Sequence, residues 1–321
     1  MIKFLKVKIL ALVMVLIFPV VSACFTSDLT FRTENLNQPS VNFLSVGQGD
    51  CAFIIFPDGK TMLIDCGEKS EENLNTICRY IDAAGGTEID FLILSHTDSD
   101  HTGCAADVIK KYGVKRAYIP KVLDLSKYVA FAEAVEALDN CGAEKIISAG
   151  GRRYIADDYF FCFLYPDEDT YDCINYGDAS AEEINSTSSV VYIDYCGVRF
   201  LFTGDATKAS EEKVVEYGLM GLFNLYSPPN FHISLTEIDF FKVSHHGGKE
   251  EISQDFYSYV TPVNAVISVG ANNKFGHPSI YTLVALQNTV SDINILRTDV
   301  LGSISVYING NGLYKITTDA D

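Results

Sequence analysis

The chain predicts a mixed α/β fold in which two β-sheets lie face to face and helices cover both outer surfaces, an α/β/β/α sandwich. Three observations carry that expectation. Short apolar runs rich in Val, Ile and Phe recur along the chain, separated by turn signals or by stretches with helical spacing. The first half opens with a hairpin signature, and the second half repeats the theme. With 48% hydrophobic residues among 321, residues 41–321 can bury one sizeable core as one domain.

The elements follow in order. Residues 41–46 form a strand that runs into Gly47-Gln48-Gly49-Asp50. Strands over 52–56 and 62–65 flank the turn Pro57-Asp58-Gly59-Lys60, and the three together read as a hairpin. Leu74, Ile77, Cys78 and Ile81 recur at helical spacing, which predicts a helix over 71–83. A buried strand over 91–94 and a helix over 105–112 come next, then a strand over 116–119 and a helix over 129–140. Strands are expected over 145–147, 159–165, 189–194 and 198–203, with a helix over 210–217. The rest alternates: strand 240–243, helix 254–259, strand 265–269, helix 281–289, and strands 293–296, 303–307 and 314–318. Between Gly218 and Thr236 lies an insertion bearing Phe223, Tyr226 and Phe231, suited either to the mouth of a pocket or to packing as a surface loop.

The N-terminus supplies an address. Lys3, Lys6 and Lys8 precede a run of apolar residues to Val21 that is shorter than the roughly twenty needed to span a bilayer. Residues 1–23 therefore read as a signal peptide. Val21-Ser22-Ala23-Cys24 resembles a lipoprotein processing box, with Cys24 as the lipidated residue and 24–40 as a tether; ordinary cleavage after Ala23 and secretion is the alternative. The expected location is the extracytoplasmic face of a bacterial membrane, reached through the lipid anchor. Removing residues 1–23 takes away three lysines and no acids, so the formal charge moves from −18 to −21. Such an acidic body argues against a broad basic groove for nucleic acid. The other eight cysteines, among them Cys51, Cys66 and Cys104, form no Cys-x-x-Cys and are expected as mostly reduced, buried thiols.

The chemistry is concentrated where buried strands end. His96-Thr97-Asp98-Ser99-Asp100-His101 sets four metal-capable side chains within six positions directly behind a strand. Carboxylates and imidazoles this close favour a divalent cation among them. Asp65, Asp205, the pair His245-His246 and His277 stand in the same relation to their own strands. Of the six histidines, all but His232 thus lie past buried strands, which points to a shared site.

His-x-Asp-x-Asp-His, Thr203-Gly204-Asp205 and Ser244-His245-His246-Gly247, in this order, resemble the metallo-β-lactamase superfamily. With Val46-Gly47-Gln48-Gly49-Asp50, Ile64-Asp65-Cys66-Gly67 and Gly276-His277-Pro278, the chain is similar over about residues 41–310 to the hydrolase domain of ComEC-type DNA-uptake proteins. That resemblance implies His96 and Asp98 at one metal position. It places Asp100, His101 and His245 at the other, with Asp205 bridging. Where relatives carry a further histidine, this chain reads Asn185-Ser186-Thr187-Ser188-Ser189, so the first position is poorer in nitrogen. Manganese or magnesium then competes with zinc, as one ion or two.

A water acidified by the metal is the expected nucleophile, with Asp100 orienting it and His277 as general acid toward the leaving group. Asp65, Ser188, Ser189, His246 and Lys249 are candidates for supporting the ligands or touching an anionic substrate. Three functions stand open. They are a phosphodiesterase or nuclease acting on extracellular DNA, a same-fold hydrolase of a small or cell-wall substrate (a phosphodiester or a lactone), and a non-catalytic accessory in DNA uptake.

Overall fold

The computed structural model describes residues 38–249 and 253–320. The signal peptide, Cys24 and the tether up to residue 37 lie outside them. Among the described residues no helix is long and apolar enough to cross a membrane. Fifteen strands of these residues form two sheets. The first has the order β15-β14-β1-β2-β3-β4-β5-β6 and the second β13-β12-β11-β10-β9-β8-β7.

In the first sheet β1 (Ser40–Phe43), β2 (Ala52–Ile55) and β3 (Thr61–Ile64) are an antiparallel meander, so the hairpin at Pro57–Lys60 forms as expected. From β3 onward the pairing turns parallel through β4 (Ile89–Ile93), β5 (Val114–Ile119) and β6 (Glu144–Ile147). The terminal strand β14 (Ile304–Ile308) returns to pair against β1, and β15 (Tyr314–Thr318) pairs against β14. In the second sheet β7 (Arg153–Ile155), β8 (Tyr159–Tyr165), β9 (Val190–Tyr195) and β10 (Val198–Phe202) are antiparallel. Then β10 pairs in parallel with β11 (Phe240–Lys242), β11 with β12 (Asn264–Ile267), and β12 with β13 (Asn294–Arg297).

Alternation along the strands explains why they read as unbroken apolar runs. Tyr159, Phe161 and Phe163 of β8 face the layer between the sheets, and Phe160, Cys162 and Leu164 face the outer helices. The same holds for Ala52 and Ile54 against Phe53 and Ile55 of β2. Strands buried on both faces have no polar side to show. The helices Glu71–Ala83, Ala105–Tyr112 and Val129–Cys141 cover the first sheet, and Lys208–Leu219, Gln254–Val260 and Ile280–Thr289 cover the second. The result is the expected α/β/β/α sandwich.

Two sets of expectations meet their outcome here. The insertion after Gly218 packs down: Phe223, Ile233 and Leu235 are buried, and the Phe231 ring lies 4.7 Å from that of Phe160. The cysteines from Cys51 onward are free thiols, five of them buried.

Candidate metal centre

Both sheets aim the C-terminal ends of their parallel strands at one edge, where open α/β sheets place their ligand sites. Asp65 follows β3, Ser95 and His96 follow β4, Asp205 follows β10, the histidine pair follows β11, and Ser268 follows β12. The backbone there is tightly wound. Asp65, His245 and His246 sit at φ 57°, 48° and 53°, the left-handed region that costs non-glycine residues of order 1–3 kcal/mol and clusters at functional sites. A Cβ on Gly49 would collide with the Asp100 carbonyl, so only glycine lets the Gly-Gln-Gly-Asp loop reach the metal-loop backbone.

The hydrogen bonds of three histidines fix where each ring nitrogen points. Ser95 donates its hydroxyl to Asp65 Oδ2 at 2.7 Å, so its 3.0 Å contact with His96 Nδ1 requires the imidazole to donate. His101 Nδ1 donates to Asp65 Oδ2 at 2.9 Å. His246 Nδ1 donates to the Ser268 carbonyl at 2.9 Å and lies 3.2 Å from Asp50 Oδ1. In each ring Nε2 is left over. Among the described residues His96, His101 and His246 Nε2 and Asp205 Oδ1 are buried without a well-formed hydrogen bond, although His101 Nε2 stands 3.0 Å from Asp205 Oδ1 and His246 Nε2 3.3 Å from Asp100 Oδ2. Histidines whose Nδ1 is held by the protein while Nε2 faces a common point are arranged as metal ligands usually are.

Ligand atoms of Asp100, His101, Asp205 and His246 all lie within 4.8 Å of one another. His96 Nε2 and Asp98 Oδ2 form a neighbouring pair at 3.9 Å. Asp205 reaches several of these groups, with Oδ1 toward His101 and Oδ2 3.6 Å from His246 and 3.8 Å from His245. This donor set fits a divalent cation, since buried imidazole nitrogens and carboxylate oxygens converge on one point.

Electrostatics tell the same story. Five carboxylates gather here, those of Asp50, Asp65, Asp98, Asp100 and Asp205. Lys242, buried and 2.6 Å from Asp50 Oδ2, is the single lysine or arginine ion-paired to them among the described residues. Taking the protein groups alone, burial would push Asp205 up, yet the charges of His101 and His246 hold it well below the carboxylate range. Asp50 is lowered against the same burial by Lys242 and His246. Burial also opposes ionisation of Asp100, but the adjacent His246 and the charge of His101 hold it at about 2. Against burial, Asp205 and Asp65 raise His101 well above its usual range, and Asp205, Asp100 and Asp50 lift His246 to about 10. Burial and the charge of His101 depress His96 to about 4, while burial with the charges of Asp100 and Asp205 raises Asp98 to about 6. His101 and His246, unlike His96, hold protons where a cation would supply the charge.

The arrangement differs from expectation at the histidine pair. His245, expected as a ligand of the second position, is partly exposed, with its Nε2 3.8 Å from Asp205 Oδ2. His246, expected in a supporting role, is buried and turns its Nε2 to Asp100 and Asp205, 3.3 and 3.6 Å away. The two left-handed residues swing successive imidazoles to opposite sides, an orientation that spacing alone does not encode. Asp65 touches His101 and Ser95 and so orients ligands from behind. Ser188 accepts from the Asp205 backbone N–H at 3.2 Å, and Ser189 Oγ is buried with no hydrogen-bond partner among the described residues.

His277 stands at the mouth, its ring 5.5 Å from that of His245 and 6.3 Å from that of His246. Lys249 lies on the rim with its Nζ 5.8 Å from the Tyr281 ring. Asp50 and Lys242 had no role assigned from the sequence. The signals were an aspartate closing a glycine-rich turn and a lysine ending an otherwise apolar strand.

Comparison with known proteins places this centre in a class. Residues 44–154 match the metallo-beta-lactamase superfamily. The chain is similar to ComE operon protein 3 of Bacillus subtilis, 29% identical over 300 residues that cover 87% of this chain and 34% of that protein. It is likewise similar to Recombination protein 2 of Haemophilus influenzae, 30% identical over 294 residues covering 90% of this chain and 31% of that protein. It thus spans about a third of the length of these relatives. Among solved structures, CmlA, a diiron β-hydroxylase from Streptomyces venezuelae, matches the fold with a TM-score of 0.51 at 13% identity, covering 85% of this chain and 54% of that chain.

The fold is metallo-β-lactamase-like, a metal-dependent hydrolase fold, and its cluster of ligand atoms is suited to a divalent cation. Alongside the two relatives above, the chain is similar to Competence protein ComA of Neisseria gonorrhoeae, 29% identical over 289 residues that cover 88% of this chain and 35% of that protein.

Proposed function

We propose that this protein is a metal-dependent phosphodiesterase whose substrate is nucleic acid outside the cell. The observation that carries the reading is the convergence of the buried His101 and His246 Nε2 atoms on Asp100 and Asp205, with His96 Nε2 beside Asp98 and His277 at the mouth. His96, Asp98, Asp100, His101, Asp205 and His246 would hold the metal, and His245 stands close enough to Asp205 to join them in a rearranged site. One or two ions are admitted, and two divalent ions with Lys242 would balance the five carboxylates. Bound there, the cation supplies Lewis-acid charge and acidifies water.

The chain's own residues supply orientation and a proton. Asp65 and Asp50 hold the ligand imidazoles from behind, and Asp100, reached by solvent, orients the attacking water. Gln48 takes a hydrogen bond from the Gly270 N–H at Oε1, which turns its amide Nε2 toward His277 Nδ1 at 3.5 Å. His277 Nδ1 then accepts, and Nε2 carries the proton toward the leaving alkoxide. Asn273 brackets the same residue, accepting from the His277 N–H and donating to its carbonyl.

The relatives' association with competence supports DNA as the substrate. The charge of −18 favours a second reading, hydrolysis of a small or cell-wall diester or a lactone. We further propose export and lipid anchoring through Cys24. The test uses residues 25–321, stripped of metal and returned to manganese, magnesium or zinc, with DNA and bis(p-nitrophenyl) phosphate as substrates and Asp100→Ala as control. Metal-dependent DNA cleavage lost in the variant is expected. Turnover of the small diester alone moves the substrate to the second reading, and inactivity with metal bound removes the phosphodiesterase. Loss of lipid labelling in Cys24→Ala tests the anchor.

A further inference from the structure

We infer that the rim beside His277 is a stacking platform for unpaired bases, so that the centre acts on single-stranded nucleic acid; this rests on the phosphodiesterase reading above. Phe275 and Tyr281 flank Gly276-His277-Pro278 and are 57% and 63% exposed. Large aromatics left in solvent at the mouth of a site are there to meet something. Each carries a lysine over its ring, Lys274 at 5.0 Å from the Phe275 centroid and Lys249 at 5.8 Å from that of Tyr281. No other described part of the chain sets two exposed aromatics and two lysines beside the metal cluster.

Most described lysines of this molecule are drawn into ion pairs. Lys60, Lys69, Lys115, Lys145 and Lys213 each sit against a carboxylate. Lys249 and Lys274 have no carboxylate within ion-pair distance among the described residues, although Glu250 and Glu251, outside them, follow in sequence. In a chain of net charge −18, positive charge held out of ion pairs at the site fits an anionic ligand. The rings also form a continuous path inward. Phe275 lies 5.7 Å from His277, and His277 is stacked 6.3 Å from His246, which reaches the metal ligands. A base stacked on Phe275 would therefore place its phosphate toward His277 and the centre. Duplex DNA keeps its base faces covered, whereas single strands offer a π-face at every nucleotide and are bound by such aromatic and lysine combinations. A lipid surface also matches exposed aromatics with lysines, but it would cover the mouth that the ring path leads into.

The test measures binding of labelled oligothymidylate and of a duplex of equal length to the mature chain, by fluorescence anisotropy, with manganese present and Asp100→Ala to prevent cleavage. Phe275→Ala and Tyr281→Ala, each on that background, should weaken single-strand binding roughly ten-fold, with a smaller change for duplex, and Phe275→Trp should restore it. Lys249→Gln and Lys274→Gln should each flatten the salt dependence by about 0.7 in log–log slope. Folding of every variant is checked by thermal unfolding.

Unchanged oligonucleotide affinity in the folded aromatic variants overturns the inference, as does equal loss for duplex and single strand. Binding to anionic phosphatidylglycerol vesicles that is lost in these variants, with oligonucleotide binding intact, assigns the face to a membrane and overturns it too. Failure of the underlying reading looks different: metal-loaded wild type cleaves no phosphodiester although it binds the oligonucleotide.

Discussion

At His246 two constraints meet, a carbonyl that holds Nδ1 and an aspartate that is itself held by a buried lysine. Asp50→Asn removes the negative charge behind the ring and leaves Lys242 buried without its partner. Metal affinity should fall about 10- to 100-fold, and stability should fall by about 3–5 kcal/mol, the usual cost of breaking a buried pair. Asp50→Asn with Lys242→Met should regain stability but not affinity, as read by metal titration and urea unfolding. Equal recovery of both would show that Asp50 acts only as a partner for the lysine.

Protonation gives a second prediction at this scale. His246 is raised to about 10 and His101 well above its ordinary value. A raised imidazole contributes stability that is complete below about pH 6.5 and is lost as pH climbs through the folded value. A cation must displace those same protons, so metal affinity should rise between pH 6 and 8 by about ten-fold per unit for each proton released. Calorimetry in buffers of different ionisation enthalpy counts the protons, and affinity independent of pH would contradict the scheme.

Among the elements, the strands that feed the centre are buried on both faces, and so is β8 beside them. Phe161 of β8 is fully buried between the sheets, 5.3 Å from the Phe91 ring and 5.6 Å from that of Tyr118 in T-shaped contacts. Phe161→Ala should cost about 3–5 kcal/mol in urea unfolding. A loss below about 1 kcal/mol would mean the layer between the sheets is not a close-packed core. The long elements were legible because their apolar residues repeat with the period of helix or strand over several turns. The helices Glu168–Asp172, Ala181–Asn185 and Phe223–Tyr226 and the strand Arg153–Ile155 were not. They are too short to show a period, and local contacts hold them, such as the Ser180–Glu183 capping box. In the same way the 3₁₀ turn at Ser244–Gly247 is set by left-handed backbone at His245 and His246 rather than by residue pattern.

For the molecule as a whole, a cation that binds the folded centre and not the unfolded chain stabilises by about 2.7 kcal/mol at a hundred times its dissociation constant. Adding manganese, magnesium or zinc to the stripped protein should therefore raise the melting temperature by several degrees. Asp205→Ala should abolish that rise, and a rise that survives would put the cation elsewhere. The amino-acid sequence by itself determined the sandwich, the edge at which the metal-capable residues gather, and the residue types that gather there. Those follow from apolar period and from motifs placed just past buried strands, which are local properties of the chain. Only the tertiary structure decided that His246 rather than His245 closes on Asp100 and Asp205, and that Asp50 and Lys242 stand behind it. It also decided that Phe275, Tyr281 and two lysines share one rim with His277. Those relations join residues up to nearly two hundred positions apart, and the direction of each side chain is set by backbone angles and packing that no spacing along the chain contains.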